Sequence, residues 1–142
     1  MAETATARSL MDAADPSRVS DVLTSLGLSP VLSRDSVGDP MLSATMDEQA
    51  FSLLFYGCGT GGACDSVQFV AVLADARLSF ERANAYNRGW RYGRLAVEPD
   101  GRVVLKLDVN LDGGVTRSNF ADTVLIWRDV LATVRRELGL AP

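Results

Sequence analysis

The chain has no histidine, a single lysine (Lys106) and only two cysteines. These shortages remove several kinds of chemistry. A nucleophilic serine or cysteine lacks its commonest general base, and no lysine–serine arrangement stands out to replace it. Two thiolates without an imidazole do not complete a four-ligand zinc site in one chain, and the Cys58/Cys64 spacing is not the C-x-x-C of dithiol redox enzymes. No apolar run reaches the roughly 18 residues of a membrane span. The opening stretch MAETATARSLMDAADP has neither the basic start nor the apolar centre of a secretory signal. Positive charge is also scarce: 14 Lys and Arg against 18 Asp and Glu leave a net charge of −4. That balance argues against nucleic acid or an anionic membrane as partner, since both need a basic face.

What is present suffices for one core. The 142 residues are 47% apolar, enough for a single domain to fold without additional staples. Residues 1–15 read as a flexible leader ahead of a domain spanning 16–142. The alanine-rich AETATA also resembles residues left after signal cleavage. A periplasmic location is therefore expected if Met1 is not the natural start, and a cytoplasmic one otherwise.

Asp15 and Pro16 read as N-cap and first helical residue, and Val19, Val22, Leu23 and Leu26 then recur at helical spacing up to Gly27. Strand-like runs follow at Val31 to Ser36 and Met41 to Met46, separated by the turn signal Val37-Gly38-Asp39-Pro40. A second helix is expected from the Ser79 cap to about Asn87. Trp90 to Val97 then alternates, Pro99-Asp100-Gly101 reverses the chain, and Val103, Leu105, Leu107, Val109 and Leu111 keep period two. Phe120, Val124, Trp127, Leu131, Val134 and Leu138 make the apolar stripe of a long terminal helix. The class is α+β, an antiparallel sheet with helices mainly on one face.

Between Phe51 and Ala74 two apolar runs flank a glycine-rich loop edged by the cysteines. Placing Cys58 opposite Cys64 in an antiparallel hairpin aligns Phe55 with Val67, Leu53 with Phe69 and Phe51 with Ala71, an entirely apolar face. The other face pairs Tyr56 with Ser66, Leu54 with Gln68 and Ser52 with Val70. Directly opposed residues lie within reach of a disulfide. A Cys58–Cys64 clip in an oxidising compartment is favoured over two reduced thiols at a hairpin mouth.

Two motifs compete with that reading. Gly57, Gly59 and Gly62 spell G-x-G-x-x-G after a strand, but a dinucleotide site needs a helix to open at the last glycine, and a strand is expected there. Asp108, Asn110, Asp112 and Gly113 match the opening of a calcium loop, yet the twelfth position is Asn119, which offers no bidentate carboxylate. Strand alternation explains the same polar positions and leaves at most a weak cation site. Neither a metal nor a cofactor is expected. The segment from Asn84 to Arg94 is dense in aromatic and arginine side chains, residue types favoured in interfaces. With Val97 paired to Val103, Leu95 turns inward, and Trp90, Tyr92 and Arg94 share the opposite face as the candidate partner-binding residues. The competing reading is that the second helix or a loop covers these aromatics.

Together, SVGDPML, FYGCGTGGACDSVQF, NAYNRGWRYGR, LDVNLDGGVTRSNF and a tryptophan-bearing terminal helix resemble the YbjN-like family of bacterial sensory transduction regulators, whose fold is similar to type III secretion chaperones. The resemblance runs from about residue 16 to 138. It departs at Tyr86, where tryptophan is expected, and at Trp90, where a polar residue is more usual. It implies the order α-β-β-β-α-β-β-α, no catalytic residues and a possible homodimer. Relatives with paired cysteines look like exported proteins, which favours the periplasm and the clip. The expected function is a non-enzymatic, chaperone-like module that recognises a protein or peptide. The alternative is a small-molecule or ion sensor with a pocket between sheet and helices.

Overall fold

The computed structural model describes residues 10–140. Its elements are β1 (Leu10–Met11), α1 (Pro16–Ser25), β2 (Val31–Arg34), β3 (Pro40–Met46), β4 (Gln49–Tyr56), β5 (Ser66–Leu73), α2 (Phe80–Gly89), β6 (Arg94–Val97), β7 (Val103–Asn110), β8 (Val115–Thr116) and α3 (Arg117–Glu137). Six strands form one antiparallel sheet in the order β2-β3-β4-β5-β7-β6, and β1 pairs with β8 separately. The expected class and order are present: β3, β4 and β5 are the three long strands between α1 and α2. The short β2, expected from the strand-like run at Val31, is a fourth strand beyond the three of the family order, and the β1–β8 pair is an addition to both.

Each helix begins where a side chain can satisfy its first amides. The Asp15 carboxylate accepts from the Ser17 amide ahead of Pro16, Ser79 Oγ accepts from the Arg82 amide, and Thr116 Oγ1 accepts from the Asn119 amide. The stripe on α3 buries Phe120, Val124, Trp127, Leu131 and Val134, while Leu138 caps the helix and is partly buried. Trp127 meets Phe69 at 5.3 Å and Phe51 at 6.0 Å between ring centroids, and Phe69 meets Phe120 at 6.3 Å. Each such fully buried side chain stabilises the fold by roughly 1.5–3 kcal/mol through removal from water. Helix α1 packs against α3, and α2 lies along β6.

Leu53 pairs with Phe69 and Phe55 with Val67, the register expected from the cysteines, and all four are buried under the helices. The opposite face carries Met41, Ser43, Ser52, Leu54 and Val70, each partly exposed. Helices thus cover one face, and the other is bare of them.

Three expectations change. The domain starts before residue 16: Leu10–Met11 pairs with Val115–Thr116, Met11 and Ala13 are buried, and Arg18 donates to the Leu10 carbonyl. The leader expected over residues 1–15 therefore includes core residues from 10 onward, and residues 1–9 lie outside the described residues. A two-residue strand has no period to detect. The strand expected over Val31 to Ser36 ends at Arg34, because the Asp35 carboxylate accepts from the Val37 and Asp39 amides and starts the turn early. The strand expected from Trp90 begins at Arg94. Gly93 is the reason: at φ 76° it leaves the extended region, and a Cβ there would lie 2.9 Å from Val130 Cγ1 on α3.

Candidate functional site

The hairpin tip is closed covalently. Cys58 and Cys64 form a disulfide with Cα atoms 3.8 Å apart, and Cys64 is buried against the core. Gly57, at φ 68°, lets the chain turn into the tip. A Cβ there would overlap the Asp65 carboxylate at 2.1 Å, so no other residue fits without moving it. Beyond the disulfide the Gly59 amide still bonds the Ala63 carbonyl, so the strand register continues to the tip. The glycines lead into β5 and not into a helix, which removes the geometry a pyrophosphate needs.

Two side chains of the calcium-like loop are otherwise engaged. Asp108 accepts from Gln68 Nε2 at 2.8 Å and forms an ion pair with Arg94, and Asn110 Oδ1 accepts from the Asp112 amide at 3.0 Å. Burial pushes the Asp108 carboxyl up, but the hydrogen bonds from Arg94 and Gln68 and the charges of Arg94 and Lys106 together hold it below its ordinary value. Among the described residues no three acidic, cysteine or histidine side chains converge on a metal position.

Trp90 and Tyr92 sit in the link between α2 and β6 and not on the strand, so they do not share one strand face with Arg94 as expected. The Trp90 amide donates to the Tyr86 carbonyl, and its ring stacks on the buried Tyr86 ring at 6.1 Å, yet 47% of Trp90 remains exposed. Helix α2 therefore supports the tryptophan without covering it. Tyr92 is 42% exposed, and the Arg91 guanidinium lies 5.2 Å from its ring centroid, within cation–π range. Arg94 projects on the bare face, opposite Lys106 and paired with Asp108. The three residues make a corner where two held aromatics meet the charged end of that face.

The two edges of the sheet are treated differently. On β6, the Asn87 side chain of α2 accepts from the Leu95 amide at 2.8 Å and donates to the Leu95 carbonyl at 3.0 Å, occupying both groups that would otherwise point outward. On β2, all four residues are exposed, Val31 at 63% and Leu32 at 57%. The motif-based reading did not find Asn87, because an asparagine near a helix end carries no periodic signal. It also missed Gln49, buried with its Oε1 accepting from Arg135 at 2.7 Å, and the two-bond clamp of Arg128 on Asp47 at 2.9 and 3.0 Å. The Arg128 hydrogen bonds hold the Asp47 carboxyl below its ordinary value.

Set beside known proteins, residues 15–140 match the family model YbjN, described as "Putative bacterial sensory transduction regulator". That match covers nearly the whole chain, and the protein belongs to this family, one of regulators and not a known enzyme family. No curated protein matches the sequence. Among the described residues, no helix is long and apolar enough to cross a membrane.

Proposed function

We propose that this YbjN-family chain is a non-enzymatic regulatory module that recognises a protein or peptide in a chaperone-like manner, with Trp90, Tyr92 and Arg94 as its contact residues. The observation that carries the reading is the pair of half-exposed aromatics held at the α2–β6 corner. Tryptophan, tyrosine and arginine dominate binding energy at interfaces, and rings already held in place lose little freedom on binding. The bare face beside the corner, with Met41, Leu54 and Val70, gives the partner apolar area to cover. A second copy of the chain pairs through the same face. The Cys58–Cys64 disulfide supports a periplasmic setting, since such bonds persist in oxidising compartments. The activity needs no cofactor.

The test combines light scattering with crosslinking in a periplasmic extract, comparing the native chain with a Trp90→Ala, Tyr92→Ala double variant. The native protein is expected to give a dimer mass and defined crosslinked bands, and the variant to lose both while keeping its fold. Identical bands from the two proteins would remove the corner as the contact site, and a monomer mass at all concentrations would remove the dimer.

A further inference from the structure

A different part of the molecule carries a binding site for a small ligand. The turn between β3 and β4 and the C-terminal turns of α3 border a cavity of about 540 Å³. That is within the roughly 300–1,000 Å³ of small-molecule pockets. Met46, Leu131, Ala132 and Leu140 supply its apolar surface. Three arginines also line it, in a chain whose net charge is −4. Two of them brace the walls: Arg128 is clamped on Asp47, and Arg135 donates to buried Gln49, whose Nε2 in turn bonds the Ala50 carbonyl at 2.8 Å and reaches the Val72 carbonyl at 3.3 Å. Arg136 is different. It is exposed and makes no ion pair with any described residue.

The turn itself has a fixed shape. Asp47 and Glu48 both have positive φ, 49° and 69°, as the central residues of a two-residue hairpin turn between the paired Met46 and Gln49 require. The Arg128 clamp ties Asp47 to α3. A tied turn, a braced polar wall and one cation with no ion pair among the described residues, beside an apolar cavity, are the elements of a ligand clamp.

We propose that this cavity binds a medium-chain aliphatic carboxylate, with its chain on Met46, Leu131, Ala132 and Leu140 and its carboxylate paired to Arg136. Charge decides the class: of the three cavity arginines, the one with no ion pair among the described residues accepts a planar anion through two parallel hydrogen bonds, and the apolar lining rewards an unbranched chain. The site is separate from the aromatic corner, so it gives the module a small ligand in addition to its protein partner.

Titration calorimetry on the full chain with decanoate, decanol and decyltrimethylammonium, each below its micelle concentration, tests this. Decanoate is expected to bind saturably at one site, decanol about tenfold or more weakly because it lacks the charge-assisted pair, and the ammonium not at all. Arg136→Glu is expected to weaken decanoate about tenfold while leaving decanol unchanged. Ala132→Trp, at an exposed position, is expected to fill the cavity and abolish both, with circular dichroism confirming the fold. The Trp90→Ala, Tyr92→Ala variant is expected to bind decanoate normally, which keeps this result independent of the partner-binding reading. Decanol binding as tightly as decanoate, non-saturating uptake, or decanoate binding unchanged in both cavity variants would overturn the proposal.

Discussion

Gln68, Phe69 and Val70 are consecutive residues of β5, and they show how differently the two faces of the sheet are built. Phe69 is fully buried among Trp127, Phe51 and Phe120. Gln68, on the other face, is also largely buried, but its amide donates to the Asp108 carboxylate, and Val70 beside it remains partly exposed. The covered face is held by apolar packing, which is insensitive to charge and costly to disturb. The bare face is held by pairs such as Arg94–Asp108 and Gln68–Asp108, which are individually weak and leave apolar area between them. The first face is therefore the stability of the molecule, and the second is available for contact.

The comparison breaks most clearly at neighbouring residues. Phe69→Ala is expected to cost about 3–5 kcal/mol in urea unfolding, and Val70→Ala less than about 1 kcal/mol. A Val70 cost that grows with protein concentration would show that a second copy covers the bare face. At the hairpin tip, replacing Cys58 and Cys64 by serine is expected to cost about 2 kcal/mol, the loop-closure entropy of so short a ring. No loss would mean that the tip is ordered by Gly57 and the Gly59–Ala63 bond alone.

The two edges give a smaller effect. Asn87→Ala is expected to cost about 1 kcal/mol, since water can partly replace its bonds at an edge, and to speed hydrogen exchange of the Leu95 amide. Arg34→Ala on the open edge is expected to stay within about 0.5 kcal/mol. Equal effects would mean that β2 is also closed. The smallest effect belongs to Asp108. Its folded pKa lies below the ordinary carboxylate value of about 4, so its pairing with Arg94 and Gln68 contributes above that pH and is lost as pH falls through the lowered folded value. Carboxyl NMR titration is expected to place its midpoint below that ordinary value, and Asp108→Asn to remove the step; because the pair is about half exposed, the stability change is expected below about 1 kcal/mol.

Much of the covered face was legible because burying one side of a strand or helix imprints a period on the sequence. Phe51, Leu53 and Phe55 alternate, Phe120 to Val134 recur at helical spacing, and the two cysteines select a register consistent with both. The corner was legible in composition but misplaced in geometry. Trp90 and Tyr92 alternate like a strand, and only the packing of Gly93 beneath Val130 breaks the run. The Asn87 clamp, the Arg128–Asp47 clamp and the cavity beside it left no local signal. Each joins residues distant in the chain through hydrogen bonds that follow from how α2 and α3 settle on the sheet.

The amino-acid order alone determined which residues face inward, where most helices start, and how β4 opposes β5, because these depend on periods and caps within a few residues. Tertiary packing decided which sheet edge is sealed, how far two aromatics project from the α2–β6 link, and that Arg136 is left facing an apolar hollow. Those outcomes depend on the relative placement of whole elements, which is set by the sum of many contacts and is encoded at no single position.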